Sequence, residues 1–363
     1  MHLQRLSHGN FRRIKKADVD EEEEFSKLSS AGNSWYCPSC CVTMTAESQA
    51  REHVTGWKHL RRQRMLASAL CSPLQRTFDA RAKDKIGRII CIGDCHTRSS
   101  QLMSPLAKSF FYGGSIYSWA CETTSGRIRK VPPLASLLSR QDKDRILGGS
   151  GRSLLVIWSY GEIDVRMHSS LWREKSDGMD ACALRGEKEE GEPAGSTALS
   201  LTRGYVRAVL AAAAACRESL LVDDVRQEAS REVNVLSVIL AVPPPTAGGQ
   251  NLKAPFVGAL SERVTATQEL NRAISRACND ANEASSSKCL APSLIFTGED
   301  TWTFAMVSSS DEYHNDEAQA ATGAATVPGS LRSDISDGHV HVRADFCAPI
   351  HDRIRELVAR KLF

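Results

Sequence analysis

The sequence predicts an α/β protein in two parts: a short metal-organised unit, then a larger domain whose parallel sheet is covered by helices on both faces. Three observations carry that expectation. From Gly87 onward, short apolar runs rich in β-branched residues alternate with stretches of helical periodicity. Between residues 33 and 66, two cysteines and two histidines stand at metal-ligand spacing. The length, 363 residues, suits about two domains, one of them able to bury a sizeable core.

Composition narrows the function classes. With 42% hydrophobic and 25% charged residues, the chain is neither collagen, nor a coiled-coil rod, nor wholly disordered. It holds no run of about 18 uncharged apolar residues, and its basic N-terminus is followed by no apolar signal segment. The expectation is therefore a soluble intracellular protein, nuclear or cytoplasmic, with no membrane partner. Twelve cysteines in such a chain read as reduced thiols rather than a disulfide framework. The net charge of +3 is unevenly spread: residues 1–88 hold 16 Lys/Arg against 10 Asp/Glu, and the remainder 30 against 33. The N-terminal quarter is thus the electrostatic candidate for a nucleic-acid partner.

In chain order, residues 1–32 pass from the basic Phe11–Lys16 stretch to the acidic Asp18–Glu24 run and read as a disordered charged arm. Residues 33–66 then form a compact unit. Its ligand set is Cys37, Cys40, His53 and His59, spaced C-x2-C-x12-H-x5-H. Two thiolates and two imidazoles suit a closed, tetrahedral, structural Zn²⁺ site. Binding worth about 10–16 kcal/mol would stabilise a segment too small to hold a core alone. Positions six apart on a regular helix are rotated by roughly 240°. The helix must therefore distort between His53 and His59, most cheaply at Gly56.

This stretch resembles the U1-type (matrin-like) zinc fingers of the double-stranded-RNA-binding kind. The aromatic before Cys37, Val42, the Glu47–Ser48 helix start and the Gly56-x-x-His59 ending all match. The resemblance implies a small ββα finger that binds nucleic acid, double-stranded or structured RNA, largely through shape and backbone. Arg51, Lys58, Arg61, Arg62 and Arg64 would be its phosphate and 2′-hydroxyl contacts. A protein-binding role for the finger is the alternative.

Residues 67–85 read as a linker, and 86–363 as the larger domain. Strands are expected at Arg88–Ile92, Ser153–Ser159, Val233–Val242 and Pro292–Phe296, each bounded by Gly or Pro. Helices are expected at Leu102–Phe110, Gly204–Leu221 and Ser261–Cys278. Low-complexity stretches at 176–200 and 308–329 read as mobile inserts.

Three motifs fall where strands end: Ile92-Gly-Asp-Cys-His-Thr97, Tyr160-Gly-Glu-Ile-Asp-Val-Arg166 and Ser336-Asp-Gly-His-Val-His341. Together they resemble the SGNH (GDSL-like) hydrolases, whose fold is a three-layer α/β/α sandwich. By position, Cys95 stands for the nucleophilic serine, and Asp337 and His341 for the Asp–His pair, with His339 the competing base. The resemblance implies an acyl-ester substrate and hydrolase or acyltransferase chemistry. Two departures weigh against efficient turnover: cysteine replaces serine, and Ile163 stands where the family has its oxyanion-hole asparagine. Losing one such donor costs about 2.7–4 kcal/mol. Glu162 and Asp164 could face one pocket, or make structural bonds to a neighbouring loop with Arg166 as partner. The remaining cysteines lack metal spacing and read as core or loop thiols.

Overall fold

The computed structural model describes residues 21–31, 34–37, 42–56, 59, 78, 81–82, 84–94, 97, 103–104, 106–112, 114–119, 133–148, 153–166, 197–223, 233–246, 258–286, 293–308, 327–333, 336, 342 and 346–362. The chain divides into two compact units, Met1–Ser68 and Ala69–Phe363.

The first unit has strands β1 (Ser29–Ala31), β2 (Ser34–Cys37) and β3 (Val42–Met44) in an antiparallel sheet of that order, with helices α1 (Glu21–Ser26) and α2 (Glu47–Thr55). Trp35 pairs with Met44 and Cys37 with Val42. The β2–β3 hairpin followed by α2 is the expected ββα order. The expected disordered arm, however, is ordered over Glu21–Ala31: Ser30 pairs with Trp35, adding a third strand. The acidic run carries its own anchors. Phe25 and Leu28 pack beside Trp35 against the buried Cys37, Met44 and Ala50. Apolar residues set just beyond a charged block are enough to dock one helical turn.

The second unit is built on a five-stranded, all-parallel sheet of order β5-β4-β6-β7-β8. Its strands are β4 (Ile86–Gly93), β5 (Ala107–Phe111), β6 (Ser153–Ser159), β7 (Asn234–Ile239) and β8 (Ser293–Phe296). Helices α3 (Arg140–Leu147), α4 (Thr197–Asp223), α5 (Leu260–Ser286) and α6 (Ala348–Leu362) complete it, with 3₁₀ turns at Leu134–Leu137 and Glu299–Ala305.

Strand alternation splits the core into two layers. Ile90, Ile92, Leu154, Val156 and Trp158 face the layer that also takes Val209 of α4 and Ile274 of α5. Ile89, Cys91, Leu155 and Ile157 face the opposite layer, with Trp302 and Ile354 of α6. A three-layer α/β/α arrangement follows, because every central strand is buried on both faces. Among the described residues, no helix is long and apolar enough to cross a membrane.

Several expectations need correction. Leu102–Phe110, read as a helix, ends in edge strand β5, which pairs with β4 from Ile89↔Ala107 to Gly93↔Phe111. Pro105 within that window opposes a helix, and the free flank of β4 supplies the hydrogen bonds that decide the outcome. The expected linker is partly core, since Phe78 and Ala82 are buried in the layer containing Trp302. The helix α4 begins at Thr197, inside the stretch read as a mobile insert. Residues 176–196 and 309–326 of the expected inserts lie outside the described residues.

Candidate functional site

The metal-ligand group sits in the first unit, where the end of β2 meets the end of α2. Cys37 is the last residue of β2 and is 1% exposed. His53 lies in the last turn of α2. The helix stops at Thr55, and Gly56 takes an extended conformation (φ −71°, ψ 137°) while its N–H donates to the His53 carbonyl at 3.0 Å. The break therefore falls at the position the spacing required, and it lets the buried His59 return to the same centre. The two imidazoles meet edge to face with centroids 4.9 Å apart. Cys37 Sγ lies 3.6 Å from His59 Nδ1, and one ligand atom from each of Cys37, His53 and His59 lies within 4.8 Å of the others. His53 Nε2 is buried, and no hydrogen bond reaches it. A soft thiolate, two imidazoles and an orphaned ring nitrogen aimed at one point can hold a metal ion. Cys40, the expected fourth ligand, lies outside the described residues.

Of the five basic residues assigned to phosphate contact, Arg51 is described, and it is engaged within its own unit. Its guanidinium donates to Glu22 at 2.7 Å and Glu47 at 2.9 Å. It also lies over the Phe25 ring, 4.4 Å from the centroid. Sequence reading missed this because Glu22 is 29 positions away in a stretch taken for a free arm. Lys58, Arg61, Arg62 and Arg64 lie outside the described residues.

In the second unit the strand order makes the carboxyl ends of β4 and β6 the topological switch point of the sheet. After β5 the chain crosses back over β4 and lays β6 on its other side, the switch that opens crevices in parallel sheets. Two glycines make the close approach there. A Cβ on Gly93 would lie 1.9 Å from the Ser159 carbonyl oxygen, and one on Gly161 (φ +115°) 2.5 Å from Val242 Cγ2. The Asp94 N–H donates to the Ser159 carbonyl at 3.1 Å, tying the strand ends together.

Asp164 is fully buried behind this edge. It accepts from the backbone N–H groups of Ile116 (2.8 Å) and Tyr117 (2.9 Å), at the start of the helical turn 116–119. Burial pushes its carboxyl up to about 7, with those two hydrogen bonds opposing and the Asp94 charge reinforcing the rise. Glu162 faces elsewhere and pairs with Arg166 at 2.8 Å. The structural alternative for these two acids therefore holds, with different partners for each. No sequence signal links Asp164 to Ile116, 48 positions earlier.

The expected nucleophile Cys95 and the residues Asp337, His339 and His341 lie outside the described residues. The structure does fix positions beside them: Asp94 directly follows the last residue of β4, and Ser336 and Val342 form an antiparallel bridge. Among the described residues, Cys91, Cys216, Cys278 and Cys347 are further buried cysteines outside any disulfide. Burial raises Cys216 and Cys278 to about 12, so neither offers a thiolate near neutral pH.

No protein-family model matches this sequence, and no curated protein matches it. Among solved structures, one from Streptococcus pneumonia, provisionally described as a platelet activating factor, aligns at 10% identity. The alignment covers 82% of this chain and 96% of that one with a TM-score of 0.31, too low to carry any argument.

Proposed function

We propose that the first unit is a zinc-organised finger that binds nucleic acid, with double-stranded or structured RNA as its target. The convergence of Cys37, His53 and His59 carries this reading. Tetrahedral zinc with bonds of about 2.3 Å to sulfur and about 2.05 Å to nitrogen sets S···N separations near 3.5 Å. The Cys37 Sγ to His59 Nδ1 distance of 3.6 Å fits that value. Cys40 is the proposed fourth ligand, and two thiolates would neutralise the ion. Bound there, zinc supplies no reaction chemistry; it joins the end of β2 to the end of α2 in a unit with only a small buried cluster.

The RNA reading rests on Lys58, Arg61, Arg62 and Arg64, four cations within seven positions after α2. Arg51 belongs to the scaffold in this reading, because Glu22 and Glu47 already hold it. Full-length protein should carry one zinc per chain and bind duplex RNA with an affinity that falls steeply with salt. Replacing the four cations by glutamine should abolish that binding and leave the zinc in place. Salt-independent binding, or RNA binding that survives the quadruple substitution, would refute it.

A second reading is favoured by the strand order, which puts Gly93-Asp94 at the switch point between β4 and β6 with Cys95 as the next residue in the sequence. There Cys95 would attack an acyl-ester carbonyl, His341 would take the thiol proton and return it to the departing alcohol as the ester C–O bond breaks, and Asp337 would orient the His341 ring. Water would then hydrolyse the thioester. Cleavage of short acyl p-nitrophenyl esters that ends with Cys95→Ala is the expected result. Turnover unchanged in that variant removes Cys95 from the chemistry.

A further inference from the structure

The first unit carries two opposed blocks of charge. Residues 18–24 hold six carboxylates in seven positions, those of Asp18, Asp20 and Glu21 to Glu24. From α2 onward, residues 47–64 hold five cations against two carboxylates, Glu47 and Glu52. The fold lays α1, which carries four of the six acids, against α2.

The contact includes Arg51. Its Nη1 donates to Glu22 Oε1 at 2.7 Å and its Nε to Glu47 Oε1 at 2.9 Å. The same guanidinium lies over the Phe25 ring, 4.4 Å from the centroid. Glu47 is four positions away on the same helix, so it stays within reach whatever else moves. Glu22 and Phe25 come from a different element and meet Arg51 only while α1 is docked. A carboxylate on a guanidinium sits where a phosphate would sit, because both anions use the same fork of N–H donors.

Little holds α1 in place. It is six residues long, too short to persist as a helix alone. Phe25 and Leu28, its apolar anchors, are partly buried. The Glu22 side chain is 74% exposed, so its pair with Arg51 is a screened surface pair of small worth. A denser anion can therefore displace this segment at modest cost.

We infer that α1 is an internal competitor for the nucleic-acid surface of the finger: docked, it holds Arg51 in the scaffold, and duplex RNA displaces it and takes over that cation. The acidic helix then lowers affinity for any phosphate backbone. It discriminates most strongly against ligands with too few phosphates to repay the displacement. The inference rests on the RNA reading given above and adds a regulation of that same site.

The test titrates full-length, zinc-loaded protein with a duplex RNA of about 20 base pairs at low, fixed salt. Glu22→Gln, at an exposed position, should tighten binding at least about three-fold, within the worth of one surface ion pair. In an Arg51→Gln background the same change should gain nothing, whereas a general loss of negative charge would still tighten binding there. In wild type, nuclear Overhauser contacts between the Phe25 ring and the Arg51 side chain should vanish as RNA binds; this measurement decides the matter if Arg51→Gln fails to hold zinc. Unchanged affinity in Glu22→Gln, a gain that survives Arg51→Gln, or Phe25–Arg51 contacts that persist in the complex would overturn the inference. Wild type that binds RNA with steep salt dependence, and is matched by Glu22→Gln, sinks this inference alone. If neither protein binds RNA, the RNA reading falls with it.

Discussion

Replacing Asp164 by asparagine should change how the stability of the second unit depends on pH. Its carboxyl is buried beside the sheet edge and raised from 3.8 to about 7, chiefly by the cost of burying its charge. The sign follows directly. Between those two values the unfolded chain has released this proton and the folded chain retains it. Stability from this group is therefore greatest below pH 4, falls as pH rises, and levels off above about 7. At about 1.36 kcal/mol per unit, the fall is on the order of 4 kcal/mol. Asparagine cannot ionise, so the stability of Asp164→Asn relative to wild type should climb by that order between about pH 4 and pH 7. It starts from a deficit of about 1–3 kcal/mol, because one amide N–H₂ now faces a backbone donor at Ile116 or Tyr117. Urea titrations across this range, read by hydrogen–deuterium pulse labelling of β4 and β6 peptides, isolate the unit concerned. Other carboxylates cancel in the difference. A flat difference curve would show that burial does not control this group. A curve of opposite slope would show that the two backbone N–H groups, at 2.8 and 2.9 Å, outweigh burial and hold the carboxylate ionised.

Three further outcomes are expected. Gly93→Ala places a methyl group 1.9 Å from the Ser159 carbonyl oxygen and should destabilise the second unit by more than about 4 kcal/mol, seen as lost soluble expression or a collapsed melting transition; near-wild-type melting would contradict the close approach of β4 and β6. Arg88 and Asp142 form a buried ion pair at 3.3 Å, with side chains 2% and 3% exposed. Arg88→Met alone should cost about 3–5 kcal/mol, and the double change with Asp142→Asn, which keeps an acceptor for the Ser139 cap, should recover most of it in denaturant titrations. His59→Ala should lower zinc per chain well below one and remove the dispersed amide signals of α2, leaving the β4–β7 signals intact; retained stoichiometric zinc would exclude His59 as a ligand.

The second unit's central strands were legible because their signal is local. Ile89–Ile92 and Leu154–Trp158 are continuous apolar, β-branched runs, and no partner needs to be known to read them as doubly buried strands. The thiol–imidazole spacing was legible for a related reason: a metal site leaves its geometry in the intervals along the chain, including the break forced at Gly56. Edge strand β5 was not legible, since Ala107–Phe111 becomes a strand by pairing with β4, and that pairing lies outside any sequence window. The α1–β1 segment was misread because its acidic run dominates composition, while Phe25, Leu28 and the Glu22–Arg51 pair act only after β2 is in place.

The amino-acid sequence by itself determined where the second unit's central strands and the ligand-spaced cysteines and histidines stand, because period, branching and interval are properties of neighbours along the chain. Tertiary structure alone decided which charges meet. Asp164 finds Ile116, Arg88 finds Asp142, and Arg51 finds Glu22, each across tens of residues. Such pairings depend on distance and dielectric in the folded protein, and intervals along the chain encode neither.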